Sequence, residues 1–160
     1  MLSQTSVQRS HHLFMADMEK TLQAFGLTVP RFEVLVILLF SQQGHLPLGR
    51  IGKRLQVHPT SVTSLIDGLE RQGNVIRTAD PADRRKSLAA LTSQGRDLVL
   101  RAKDEVTRNC YSDIGLSAEE MTSLVHLLAK VRRHLGDDLD ETGTSMLLGE
   151  AAGSAEVPQR

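Results

Sequence analysis

Arg84, Arg85 and Lys86 stand side by side in the stretch Ala79-Asp80-Pro81-Ala82-Asp83-Arg84-Arg85-Lys86, where proline and aspartates favour a turn. Adjacent cations at a loop tip suit a polyanion. Arginine in particular gains from the enhanced negative potential of a narrow A·T-rich minor groove. Upstream, Pro59-Thr60-Ser61-Val62-Thr63-Ser64-Leu65-Ile66-Asp67 places short hydroxyl side chains next to an apolar stripe. Thr60, Ser61, Thr63, Ser64 and Asp67 lie off that stripe. Hydroxyls can donate to or accept from base edges and phosphates, and threonine methyls can touch thymine. Arg50, Lys53, Arg54 and Arg77 flank these segments and are placed to meet phosphates, which supply affinity without sequence information.

Enzyme chemistry finds no support. The chain has no G-x-S-x-G, no P-loop, no H-E-x-x-H and no paired carboxylates in an apolar setting, so no catalytic residue is assigned. The single cysteine, Cys110, has no evident base partner and excludes an internal disulfide framework. It falls on an apolar stripe, a poor setting for a reactive thiol. His11 and His12 are adjacent, so on a helix they diverge by about 100°. No metal site is assigned. One tyrosine, no tryptophan and 3% aromatics argue against stacking single-stranded bases.

These residues need elements to hold them. Val7, His11, Phe14, Met18, Leu22 and Phe25 recur at four- and three-residue spacings, one stripe of a long helix ending at Gly26. Pro30 suits the first turn of a second helix, running to Gln43. Its core, Val34 to Phe40, is wholly apolar and could form a buried strand, but the proline start and the length favour a helix buried all round. Gly44-His45-Leu46-Pro47 breaks the chain. A short helix follows, with Leu48, Ile51 and Leu55 inside. After a brief turn at Val57-His58, Pro59 starts another, with Val62, Leu65, Ile66 and Leu69 inside and Gly73 as its stop. The period then changes: 75–78 and 87–91 read as two short strands around the charged loop. Thr92 can cap the next helix, whose apolar positions include Leu98, Ala102, Val106 and Cys110. Ser117-Ala118-Glu119-Glu120 is a capping-box pattern opening a last helix with Met121, Leu124, Leu128, Val131 and Leu135 on one face.

The chain carries 19 basic and 19 acidic residues, so its net charge is zero. The balance is uneven along the sequence. Residues 50–103 hold eleven bases and five acids, a net +6, and residues 104–160 hold five bases and eleven acids, a net −6. The basic middle coincides with the hydroxyl-bearing helix and the charged loop, a hint of nucleic-acid contact. The longest apolar run, Val34 to Phe40, is far short of the roughly 18 residues of a membrane span. With no leader pattern at the N-terminus, a cytoplasmic protein is expected.

Two short helices joined by a tight turn and followed by a β-hairpin describe a winged helix-turn-helix. The expected fold class is mainly α with a small β-hairpin wing. The segment from Leu48 to Gly95 resembles the core of the MarR family of transcriptional regulators. The matching residues are Ile51-Gly52-Lys53-Arg54-Leu55, His58-Pro59-Thr60-Ser61-Val62-Thr63, Asp67-Gly68-Leu69-Glu70 and Gly73-Asn74-Val75-Ile76-Arg77. Asp80-Pro81-Ala82-Asp83-Arg84-Arg85 and Leu91-Thr92-Ser93-Gln94-Gly95 are the most diagnostic, fitting the family's D-x-x-D-R-R and L-T-x-x-G. Asn74 departs from the leucine usual there, which would loosen packing at the first wing strand.

The resemblance implies one domain over 1–136, with 1–26 and 93–136 as dimerisation helices and 30–92 as the winged helix-turn-helix core. Residues 137–160, acidic and rich in small residues, read as a disordered tail that limits non-specific DNA binding. The implied function is a sequence-specific double-stranded DNA-binding regulator, a ligand-responsive repressor acting as a homodimer on a pseudo-palindromic site. In the wing the resemblance makes Asp83 the brace and Arg84 or Arg85 the minor-groove reader. It also implies an effector, a small aromatic or carboxylic acid, with no other cofactor. Arg31 at the second helix start would line its pocket, with His11 or Met15 from a second copy's first helix. The alternative is a winged helix that docks an acidic protein instead of DNA; two adjacent arginines at a hairpin tip favour DNA.

Overall fold

The computed structural model describes residues 2–112 and 114–137. The tail expected over 137–160 therefore lies almost wholly outside the described residues. The described chain forms two compact units, one through Ile114 and one from Gly115 onward.

The first unit runs α1 (Leu2–Gln23), α2 (Val29–Leu39), β1 (His45–Pro47), α3 (Leu48–Leu55), α4 (Pro59–Arg71), β2 (Val75–Ala79), β3 (Ser87–Leu91) and α5 (Ser93–Val106). A π-helical turn, Thr107–Tyr111, continues α5. The apolar run in α2 is helical: Pro30 lies in its first turn, and Val34, Leu35 and Leu38 are buried. It stops at Leu39, four residues before Gln43. Past that point Ser41 Oγ donates to the His45 carbonyl (2.9 Å), and Gly44 adopts φ +71°, turning the chain out of the helix.

The segment 45–47, expected only to break the chain, is a third strand. The sheet order is β1-β3-β2, all antiparallel, with Leu46 opposite Ala89 and Arg77 also opposite Ala89 from the other side. Three residues including a proline are too few to show alternation. Pro47 is tolerated because β1 is an edge strand.

Leu22, Leu35, Leu38, Ile51, Val62, Ile66, Leu69, Val75 and Val99 are fully buried and tie α1, α2, α3, α4, β2 and α5 into one core. The stripe on α1 behaves differently at its two ends. Met18 and Leu22 are buried, whereas Val7 is 54% exposed and His11 is open to solvent. In the second unit, α6 (Ala118–His134) starts at the expected capping box. Glu120 N–H donates to Ser117 Oγ (3.3 Å), and Ser117 N–H donates to the Glu120 carboxylate (2.8 Å). None of its residues is buried, and Leu127 and Val131 are more than half exposed.

Candidate nucleic-acid interface

Helix α4 is set against α3 by a close approach at Gly52, where a side-chain carbon would lie 3.1 Å from Val62 Cγ2 and 3.4 Å from the Val57 carbonyl. The turn between the helices holds Gln56 in the left-handed region (φ 54°), and Val57 N–H donates back to the Gly52 carbonyl (3.1 Å). His58 caps α4: its Nδ1 accepts from Thr60 N–H (3.3 Å) and lies 3.1 Å from the Thr60 hydroxyl. Ring nitrogen thus replaces the usual cap oxygen, a role the sequence reading missed because histidine is not a common N-cap. The Thr63 hydroxyl donates to the Pro59 carbonyl (3.2 Å). Thr60, Ser61, Thr63 and Ser64 are all exposed at the N-terminal half of α4. Two of these hydroxyls are therefore already bonded within the first turn, while Ser61 and Ser64 extend beside them.

The wing is built by its aspartates. Asp80 Oδ1 accepts from Ala82 N–H (2.9 Å), and Asp83 Oδ1 accepts from Arg85 N–H (3.1 Å), two successive Asx turns. Asp80 N–H donates to the Lys86 carbonyl (2.9 Å) and Lys86 N–H to the Asp83 carbonyl (2.8 Å), closing the loop. Asp83 thus braces the tip through the backbone. Its side-chain cation is Lys86, at 3.5 Å, rather than an arginine. Both arginines are exposed, and the structure does not single out Arg84 or Arg85.

Asp67 and Arg77 meet across the space between α4 and β2. The Arg77 guanidinium donates to Asp67 Oδ1, and Arg77 N–H donates to the Glu70 carboxylate (3.3 Å). Asp67, expected on the reading face, is directed at the wing strand. Arg77, expected to meet phosphate, is directed at Asp67. Its Nε is buried without a partner. The spacing of ten residues across a helix end and a turn carries no periodic signal, so this pair was not visible in sequence. Arg50, in the first turn of α3, and Lys53 are exposed and Arg54 is half-buried; Lys53 and Arg54 lie in the last turn, where the helix dipole favours cations.

The MarR family model matches residues 27–87. The solved structure of Sco5413, a MarR family transcriptional regulator from Streptomyces coelicolor, is 34% identical. It covers 88% of this chain and 97% of its own, with a TM-score of 0.77. The chain is a member of the MarR family. A second relative, the HTH-type transcriptional regulator YkoM of Bacillus subtilis, is 35% identical over 64% of this chain and 67% of its own. The structure of BpsR from Bordetella bronchiseptica, whose DNA binding is regulated by 6-hydroxynicotinic acid, is 28% identical. It covers 82% of this chain and 98% of that one, with a TM-score of 0.69.

Of the residues suggested for an effector pocket, Arg31 would come from one copy of this MarR-family chain and His11 or Met15 from the other. Arg31 leans on α4: a side-chain carbon at Gly68 would lie 2.6 Å from its Nη2. Glu33, two residues on and so on a different face of α2, is the residue whose charge senses His11. Partial desolvation raises the Glu33 carboxyl above its ordinary value of 4.5, with His11 opposing. Met15 packs half-buried against the core. Cys110 is buried, 3.7 Å from the Thr21 hydroxyl. Its neighbour Tyr111 donates its hydroxyl to Met18 Sδ (3.2 Å), and burial, then the charges of Cys110 and Glu33, raise the phenol's pKa. Among the described residues no cluster of three His, Cys, Asp or Glu is arranged to hold a metal, and no helix is long and apolar enough to cross a membrane.

Proposed function

We propose that this protein is a repressor that binds double-stranded DNA as a homodimer. In this reading α4 lies in the major groove with Thr60, Ser61, Thr63 and Ser64 toward base edges and phosphates. Arg84 and Arg85 enter the flanking minor groove, and Arg50, Lys53 and Arg54 meet phosphates. Arg77 acts through Asp67 as a strut. The observation that carries the reading is the link between Asp67 and Arg77, which makes the hydroxyl face of α4 and the arginine-tipped wing parts of one surface. A polyanion with two grooves at fixed separation fits such a surface better than an acidic protein does.

The second copy would cover the apolar residues left open on α1, on α6 and at the α6 C-cap, which include Val7, Leu13, Leu127, Val131 and Leu135. A two-fold dimer requires two inverted half-sites about one helical turn apart. Occupying such a site in a promoter excludes polymerase, hence repression. A small aromatic acid is the effector expected by analogy with BpsR. Arg31 is the cation best placed to receive its carboxylate and report to α4 through Gly68.

The test is duplex selection from a random pool, followed by salt-titrated affinity and footprinting with and without 6-hydroxynicotinic acid. Enrichment of inverted half-sites, steep loss of affinity with salt and release by the acid are expected. Absence of affinity even at low salt would reject DNA binding. A promoter fusion whose expression rises on deletion of the protein supports repression, and a fall would reverse the sign.

A further inference from the structure

Asn74 is the only buried polar residue among those described, at 3% exposure, where the family pattern has leucine. Hydrogen bonds tie it in place at the foot of the wing strand. Asn74 N–H donates to the Leu69 carbonyl (3.0 Å), closing α4. The next contacts all come from the start of α5. Gln94 Nε2 donates to the Gln72 carbonyl (3.0 Å) and lies 3.4 Å from Asn74 Oδ1. The Thr92 hydroxyl donates to the Gly73 carbonyl (2.7 Å), and Thr92 N–H donates to the Asn74 carbonyl (3.1 Å). Three consecutive carbonyls at the end of α4 thus accept from two residues at the start of α5. Gly95 lets the backbones close: a side-chain carbon there would lie 1.9 Å from the Asn74 oxygen.

We infer that Asn74 and Gln94 are positioning residues that fix the angle between the DNA-reading helix α4 and α5, and thereby the spacing of half-sites the dimer accepts. The inference rests on the DNA reading proposed above. α5 has 14 residues, about 21 Å at 1.5 Å per residue. A change of roughly 10° at the corner moves its far end by about 3.6 Å, close to the base-pair rise of about 3.4 Å. An apolar side chain at 74 packs but lacks the directional bond to Gln94. The amide pair holds the corner by orientation as well as by contact.

The experiment compares the wild type with Gln94→Ala and Gln94→Glu, the latter of nearly equal volume but without the donor. Gln94 is exposed, so both variants are expected to fold, which circular dichroism checks. Each protein is titrated with the duplex selected by the wild type, with the same half-sites one base pair closer or farther apart, and with a single half-site. The wild type should lose at least tenfold in affinity on either change of spacing. The variants should discriminate less than threefold while binding the single half-site as the wild type does. Variants that keep the wild-type spacing profile, or lose single-half-site affinity in proportion, overturn the inference. A wild type that enriches no paired half-sites overturns the reading of a dimer on inverted half-sites, and this inference with it.

Discussion

Gly95 occupies the first turn of α5, where alanine is by itself the better helix former by up to about 1 kcal/mol. Local propensity therefore predicts that Gly95→Ala stabilises the protein. The tertiary structure predicts the opposite. A side-chain carbon at 95 would lie 1.9 Å from the Asn74 carbonyl oxygen, and real ones essentially never come within 3.0 Å. The two backbones must separate by about 1 Å, and neither can rotate away. That opening breaks three bonds: Thr92 N–H to Asn74, the Thr92 hydroxyl to Gly73 and Gln94 Nε2 to Gln72. At about 1 kcal/mol net for each, about 3 kcal/mol is lost. After the helix gain, a destabilisation of about 2 kcal/mol remains, or roughly 8 °C in the melting midpoint. The assay is urea unfolding at one fixed protein concentration, since the proposed dimer would make the midpoint concentration-dependent. A Gly95→Ala protein as stable as the wild type, or more stable, would refute the close-approach argument. Gly68→Ala is the matched control. There the obstacle is the far end of Arg31, which can swing aside, so stability within about 1 kcal/mol of wild type is expected.

Replacing Arg84 and Arg85 together with alanine should weaken binding to the selected duplex by at least about 2 kcal/mol and lower the salt slope by about 2; unchanged titrations would remove the wing from the interface. A double-mutant cycle on Asp67 and Arg77 should give a coupling of about 1 kcal/mol, moderate because Asp67 is half exposed. Coupling below about 0.3 kcal/mol in unfolding experiments would dismiss the strut. Glu33 holds its proton to higher pH in the folded protein than in the unfolded chain. Its contribution is thus greatest below the ordinary carboxylate pKa of 4.5 and is lost as pH rises through the raised value. Glu33→Gln should flatten that part of the stability–pH curve, and an unaltered curve would show the desolvation to be immaterial. For Glu120 the sign reverses: hydrogen bonds from Ser117 lower its pKa, so the cap on α6 is retained above the ordinary value and lost as pH falls through the lowered one. The Glu120 carboxylate chemical shift followed by NMR should titrate below 4.5; a midpoint at or above that value would exclude the cap's effect.

Most elements were legible in the sequence because their signals are local. Stripes at three- and four-residue spacing marked α1, α4 and α6, the prolines marked the starts of α2 and α4, and Asp80 and Asp83 marked the wing. Each of these depends on neighbours within about one turn of backbone. The motif from Leu91 to Gly95 identified the family without revealing what its glycine is for.

The tertiary structure decided everything that joins residues distant in the chain. Strand β1 exists because β3, more than 40 residues later, offers it a paired edge. Asp67 faces Arg77 because the turn at Gly73 folds β2 back along α4. Asn74 is tolerated in the interior because Gln94 arrives from α5 to meet its side-chain oxygen. Period and propensity describe which face of an element is apolar. Which partner meets that face, and which polar groups are satisfied there, is set by the packing of whole elements against one another.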